Sequence, residues 1–180
     1  MMLLLVGLTA CSEDNVVCEA EISEYYGEAD LLLNGQPFAF GAVAGNSGCN
    51  ESNLTLSLSY YDETGLARMS LGIGNFPSQT GRYTLQRRDA GQSECALNLI
   101  YASFHLLEGD AVGPGFRMIE EPETNNELII THYDPLERRL EGHFSVTFVF
   151  PDSFVDESNF FDTVRITYGT FFTELLPPEE

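Results

Sequence analysis

The chain has 180 residues, enough for one domain with a real core, and its 43% hydrophobic and 12% aromatic content excludes wholesale disorder. Acidic residues outnumber basic ones 28 to 8, every basic residue is arginine, and the formal net charge is −20. Such a field repels phosphate, which excludes a nucleic-acid partner and makes anionic lipid headgroups poor partners. The acidity serves solubility. A sharper reading is a salty medium, where screening within about 8–10 Å makes the self-repulsion tolerable.

Residues 1–10 read Met-Met-Leu-Leu-Leu-Val-Gly-Leu-Thr-Ala, uncharged and apolar, and Cys11 follows. A bilayer span needs about 20 residues, so this run matches the apolar part of a signal peptide. Leu8-Thr9-Ala10-Cys11 resembles a bacterial lipobox. The resemblance implies cleavage before Cys11, acylation of its thiol, and a membrane partner reached through that lipid. Signal peptides open on positive residues and this run has none, a departure that leaves two readings, a signal peptide truncated at its start or a buried N-terminal strand with an ordinary cysteine, the polar residues after Cys11 favouring the first. Ser12-Glu13-Asp14 resembles the acidic export signal of Bacteroidetes-type surface lipoproteins, which implies the outer membrane, on its periplasmic or its cell-surface face. Residues 11–29 then form a lipidated acidic tether, with at most one helical turn over 19–26.

From residue 30 strand signals dominate. Segments 30–33 and 36–40 flank Asn34-Gly35, the strongest short hairpin signal, and Pro37 places the second strand at a sheet edge. Residues 54–60 alternate apolar and hydroxylated side chains, and Asp62-Glu63-Thr64-Gly65 turns the chain into 66–73. After Asn75-Phe76-Pro77 comes a short strand over 81–86, then a polar turn region over 87–94 and a strand over 96–105. The stretch 108–126 is rich in Gly, Pro and Glu and reads as the longest loop. Strands follow at 127–133 and 139–150, joined by Asp134-Pro135-Leu136-Glu137, with Leu140, Gly142, Phe144, Val146, Phe148 and Phe150 on one face. An acidic loop over 152–159 leads to a last strand over 163–172, and 177–180 is a tail.

The pattern predicts one all-β domain over 30–176, an antiparallel β-sandwich or partly closed β-barrel of about eight to nine strands. Thr80-Gly81-Arg82-Tyr83-Thr84-Leu85, the run from Leu128 to Asp134, Leu140-Glu141-Gly142-His143-Phe144-Ser145-Val146 and the run from Val164 to Phe171 are together similar to segments of uncharacterised Bacteroidetes lipoproteins. The likeness covers roughly the last hundred residues loosely, and rests on turn glycines and core aromatics. It implies a shared fold and carries no activity.

Setting Cys11 aside leaves Cys18, Cys49 and Cys95. Outside the cytoplasm a disulfide is permitted, and a Cys49–Cys95 bond is favoured, stabilising by about 4 kcal/mol on the chain-entropy model. Cys18–Cys49 is the competing pairing. Pairing outward from the Asp134 turn sets His132 near Glu141, so His132, His143 and Glu141 form a weak metal candidate, set against unrelated polar residues on a solvated face. The acidic stretch 108–127 lacks the residue order of a calcium loop and reads as a solvated loop, as does 152–157. Asp162-Thr163-Val164 resembles a Bacteroidetes O-glycosylation acceptor, though starting the last strand explains it as well. No nucleophile elbow, phosphate loop or cofactor motif occurs, so no cofactor is expected. The expectation is a non-enzymatic binding or structural module at the outer membrane, meeting a glycan, protein or small ligand. Its rivals are a barrel holding an apolar ligand and a carboxylate-based hydrolase.

Overall fold

The computed structural model describes residues 26–49, 52–88, 99–108, 111–121, 123–150 and 162–176. The signal segment with Cys11, most of the tether, Cys18, Cys95, the acidic loop over 152–159 and the tail lie outside the described residues.

The described residues form ten strands and no helix: β1 (Gly27–Leu33), β2 (Gln36–Asn46), β3 (Asn53–Tyr61), β4 (Ala67–Pro77), β5 (Gly81–Thr84), β6 (Tyr101–Glu108), β7 (Ala111–Met118), β8 (Glu127–Asp134), β9 (Arg139–Val149) and β10 (Thr163–Glu174). They make one antiparallel sheet in the order β10-β1-β2-β3-β4-β6-β7-β9-β8-β5, and β10 returns to pair with β9. The sheet therefore curls into a ring. β7 closes it against β9 through only two residue pairs, Arg117 with Val149 and Met118 with Phe148.

Local chemistry sets the turns. Asn34 and Gly35 both take positive φ, 50° and 82°, as a two-residue hairpin loop with this sequence requires. In the β3–β4 turn the Asp62 carboxylate accepts the backbone N–H groups of Thr64 and Leu66, the Thr64 hydroxyl and the Arg68 guanidinium. These donors hold the carboxyl far below the usual carboxylate range, the Thr64 hydroxyl first. Asp134 does the same in the β8–β9 turn, accepting the N–H groups of Leu136 and Glu137 at 2.8 and 3.0 Å.

Period-two alternation fills the ring. Leu56, Leu58, Leu71, Ile73, Phe104, Phe148 and Val164 are all fully buried, and the interior is one continuous apolar cluster. On β9, Leu140, Gly142, Phe144, Val146 and Phe148 point inward as the alternation predicts. Two of the glycines admit rings across the β9–β10 ladder: Gly142 lies opposite Phe171, and Gly169 opposite Phe144. A Cβ at Gly169 would lie 2.6 Å from the Phe144 ring. These glycines sit inside strands and make room for aromatic rings, so they are not the turn glycines expected.

Three further expectations change. β1 begins at Gly27, inside the segment read as tether. β2 is an interior strand; Pro37 is tolerated because β3 pairs with β2 only from Gly41 onward, leaving its missing N–H without a strand to serve. The stretch read as the longest loop contains β7, which makes a tenth strand. Its Gly113, Pro114 and Gly115 precede the two residues that pair with β9, and of the three β6 pairs Gly115, opposite His105, the other two falling in a slip of that ladder.

Candidate functional site

A hollow among the described residues lies on the outside of the ring, where β8, β9 and β10 run side by side. It is a groove of about 720 Å³, within the size range of small-ligand sites. β8 contributes Glu127 and Ile129, β9 contributes His143 and Ser145, and β10 contributes Arg165, Thr167 and Thr170. Glu121, Glu123 and Thr124 come from the link between β7 and β8. A smaller hollow of about 290 Å³ shares His143 and Thr170 with it and extends across β10 to Glu28 and Asp30 on β1.

Two bulges shape this face. Between Ile166 and Gly169 the β10 register slips, so Val164 and Ile166 point inward before the slip and Phe171 and Thr173 after it. Thr167 and Tyr168 consequently both fall on the outer side. Tyr168 takes a left-handed φ of 53°, costly for an aromatic residue, and is 80% exposed. On β8 the slip between Ile130 and His132 likewise turns Thr131 and His132 outward together. A bulge bends its strand and re-aims side chains, which is how a continuous sheet acquires a groove.

The link over 119–126 is fixed by Asn126, only 8% exposed. Its Oδ1 accepts the Thr147 N–H at 2.9 Å, its Nδ2 donates to the Ile119 carbonyl, and its own carbonyl accepts the Leu85 N–H at 3.0 Å. The Ile119 N–H in turn donates to the Thr147 carbonyl at 3.0 Å. The side chain of Asn126 thereby replaces the strand that β9 lacks at Thr147.

Charges in the groove differ in their engagement. Glu127 accepts Arg82 on one oxygen and Asn125 on the other, each at 2.8 Å. The Arg165 guanidinium has no partner among the described residues; its backbone N–H donates to Asn34 Oδ1 and its carbonyl accepts the Asn34 N–H, both at 2.8 Å. The carboxyls with clearly lowered pKa, Asp62 and Asp134, lie in hairpin turns and owe the shift to turn hydrogen bonds. They are structural.

The metal candidates separate. His132 does pair with Glu141, as counted from the turn, but His143 pairs with Ile129 and Thr170, and Glu141 is engaged by Arg139. Among the described residues no three His, Cys, Asp or Glu side chains converge as a ligand set. The acidic stretch over 108–127 is divided by β7, so Glu108 ends one strand while Glu120, Glu121, Glu123 and Glu127 gather beyond the next. Cys49 is disulfide-bonded, and every other cysteine of the chain lies outside the described residues. Thr163 opens β10, its carbonyl accepting the Asn34 amide at 2.9 Å. His105 lies away from the groove, on β6. Burial, and then the Arg88 charge, push its imidazole below the ordinary value.

Neither Arg165 nor Tyr168 stands out from sequence. The one available signal is Gly169 inside a strand pattern, which marks a bulge. Comparison with protein-family models, curated proteins and solved structures finds no match to this chain.

Proposed function

We propose that the chain is a lipid-anchored, extracytoplasmic binding module at the outer membrane, in which the ring-like β domain meets its partner through the outer groove. The lipobox-like Leu8-Thr9-Ala10-Cys11 and the acidic Ser12-Glu13-Asp14 support the address. The observation that carries the binding role is the placement of open space. The ring interior is filled by Phe76, Phe104, Phe144 and Phe148, each at most 2% exposed, while the groove of about 720 Å³ lies outside it. That packing favours an externally acting module over a barrel with an apolar ligand inside. In the same reading Cys95 is the partner of Cys49, across a loop long enough to stabilise the fold by about 4 kcal/mol.

Intact-mass analysis of the natively expressed protein, with membrane fractionation, tests the address. The expected species begins at Cys11, carries acyl mass and sits in the outer-membrane fraction. Peptide mapping without reduction should recover Cys49 joined to Cys95. A soluble, unacylated chain still beginning at Met1 would overturn the anchoring.

A further inference from the structure

We infer that the outer groove is a binding site for a neutral oligosaccharide, with Tyr168 as its stacking platform. This rests on reading the groove as the working surface of a binding module.

Tyr168 is the starting point. A left-handed φ of 53° disfavours any side chain bulkier than Asn or Gly, and this side chain, 80% exposed, adds nothing to the core. Stability alone would place Gly or Asn here. An aromatic ring kept at a strained bulge, on the rim of the groove, is explained by contact with something outside the chain. Its ring offers a flat apolar surface with a polar tip.

The lining chooses among ligands. Hydroxyl-bearing Thr124, Ser145, Thr167 and Thr170 stand beside Ile129 and Tyr168, a mixed wall that suits a molecule with both apolar and hydroxylated faces. β9 and β10 each have strands hydrogen-bonded along both edges here, so a peptide adding as a strand finds no free backbone. A polyanion meets Glu121 and Glu123 in the groove and a net charge of −20 beyond it. A sugar ring fits what remains. Its C–H face lies on the phenol of Tyr168, its oxygens accept from the unpartnered Arg165, and its hydroxyls donate to Glu121 or Glu123. The adjoining hollow reached through His143 and Thr170 lengthens the site over β8, β9, β10 and β1, a width of about 14 Å at about 4.8 Å per strand step. That suits a chain of sugars better than a single one.

The test is calorimetric titration of the detergent-solubilised mature lipoprotein with neutral gluco-, manno- and xylo-hexasaccharides, and with acidic hexagalacturonide for contrast. At least one neutral chain should bind with Kd below about 1 mM. Tyr168→Ala should weaken it by about tenfold or more, Tyr168→Phe should leave it within about twofold, and added salt should leave it unchanged. Tyr168→Gly, which relieves the backbone strain, should lose binding while melting no lower than the parent, separating platform from scaffold. No binding by any neutral chain, affinity indifferent to Tyr168→Ala, or tighter salt-sensitive binding of the acidic chain would overturn the inference. A blank titration with acylated Cys11 confirmed sinks the saccharide alone. Saccharide binding by an unacylated soluble chain sinks the address alone.

Discussion

Asn126 is the residue whose removal should cost most for its size. β7 and β8 share one edge of β9, β7 alongside Phe148 and Val149, β8 from Ser145 onward. Thr147, only 6% exposed, falls between them. Its N–H is served by Asn126 Oδ1 at 2.9 Å and its carbonyl by the Ile119 N–H at 3.0 Å, while Asn126 Nδ2 satisfies the Ile119 carbonyl. Asn126→Ala orphans the Thr147 N–H and leaves the Ile119 carbonyl only the longer, 3.3 Å bond from the Thr124 hydroxyl. An unsatisfied buried group costs about 1–3 kcal/mol, which places the loss at about 2 kcal/mol. For a domain of this size that lowers the melting temperature by about 4–8 °C. Thermal and urea unfolding followed by circular dichroism would measure it, with Asn125→Ala as control. Asn125 is exposed and bonds only the Glu127 carboxylate, so its loss should stay within about 0.5 kcal/mol. If Asn126→Ala cost no more than Asn125→Ala, the claim that a side chain stands in for a missing strand would be wrong.

Gly169→Ala should destabilise by about 1–3 kcal/mol, because its Cβ would lie 2.6 Å from the ring of buried Phe144; an unchanged urea midpoint would show that the ring has room to move. His105 should shape the mildly acidic limb of the stability profile. Its folded pKa is lowered by burial and by Arg88, so the unfolded chain holds more protons and stability falls as pH drops below about 6.5. His105→Phe should flatten unfolding midpoints between about pH 5 and 7, and an unchanged slope would assign that limb to other groups. Asp62 and Asp134, both with lowered pKa, act further down, their stabilisation being lost only as pH falls through and below about 4.

Much of the fold was legible because its signals are local. Asn34-Gly35 has the positive φ values that its residue types announce, and the alternation over 54–60 and 139–150 faces inward where the period places it. Even the His132–Glu141 pairing follows from counting outward from the Asp134 turn. What escaped is non-local. Gly113-Pro114-Gly115 reads as loop by composition, yet β6 pairs Val112 and Gly115 on either side of a slip that takes up Gly113 and Pro114, so β7 runs through it. Asn75 reads as the end of its strand, yet β4 continues through it: a left-handed φ of 62° makes a bulge there, and the side chain bonds Asn53 and the Leu99 carbonyl. Period-two counting assumes constant phase, so the slips in β8 and β10 cannot be counted through. Histidines and carboxylates are conspicuous by type, whereas the distinction of Tyr168 is a backbone angle, which its residue type does not announce.

The two bulges flanking β9 tie ring closure to the proposed site. β9 keeps regular register with β10 from Thr163 to Ile166 and again from Gly169 to Glu174, so the bend of β10 falls at the slip between them, one of several slips around the ring. That slip is where Tyr168 is strained and where Gly169 gives way to the Phe144 ring. The bulge fixes the phase of β10, but the inward packing it serves does not require an aromatic ring at its apex. Gly169 answers to the core and Tyr168 to the surface, though they are adjacent. A substitution at 169 should therefore be felt in unfolding and one at 168 in binding; if both were felt equally in unfolding, the strain at Tyr168 would belong to the scaffold and not to a ligand.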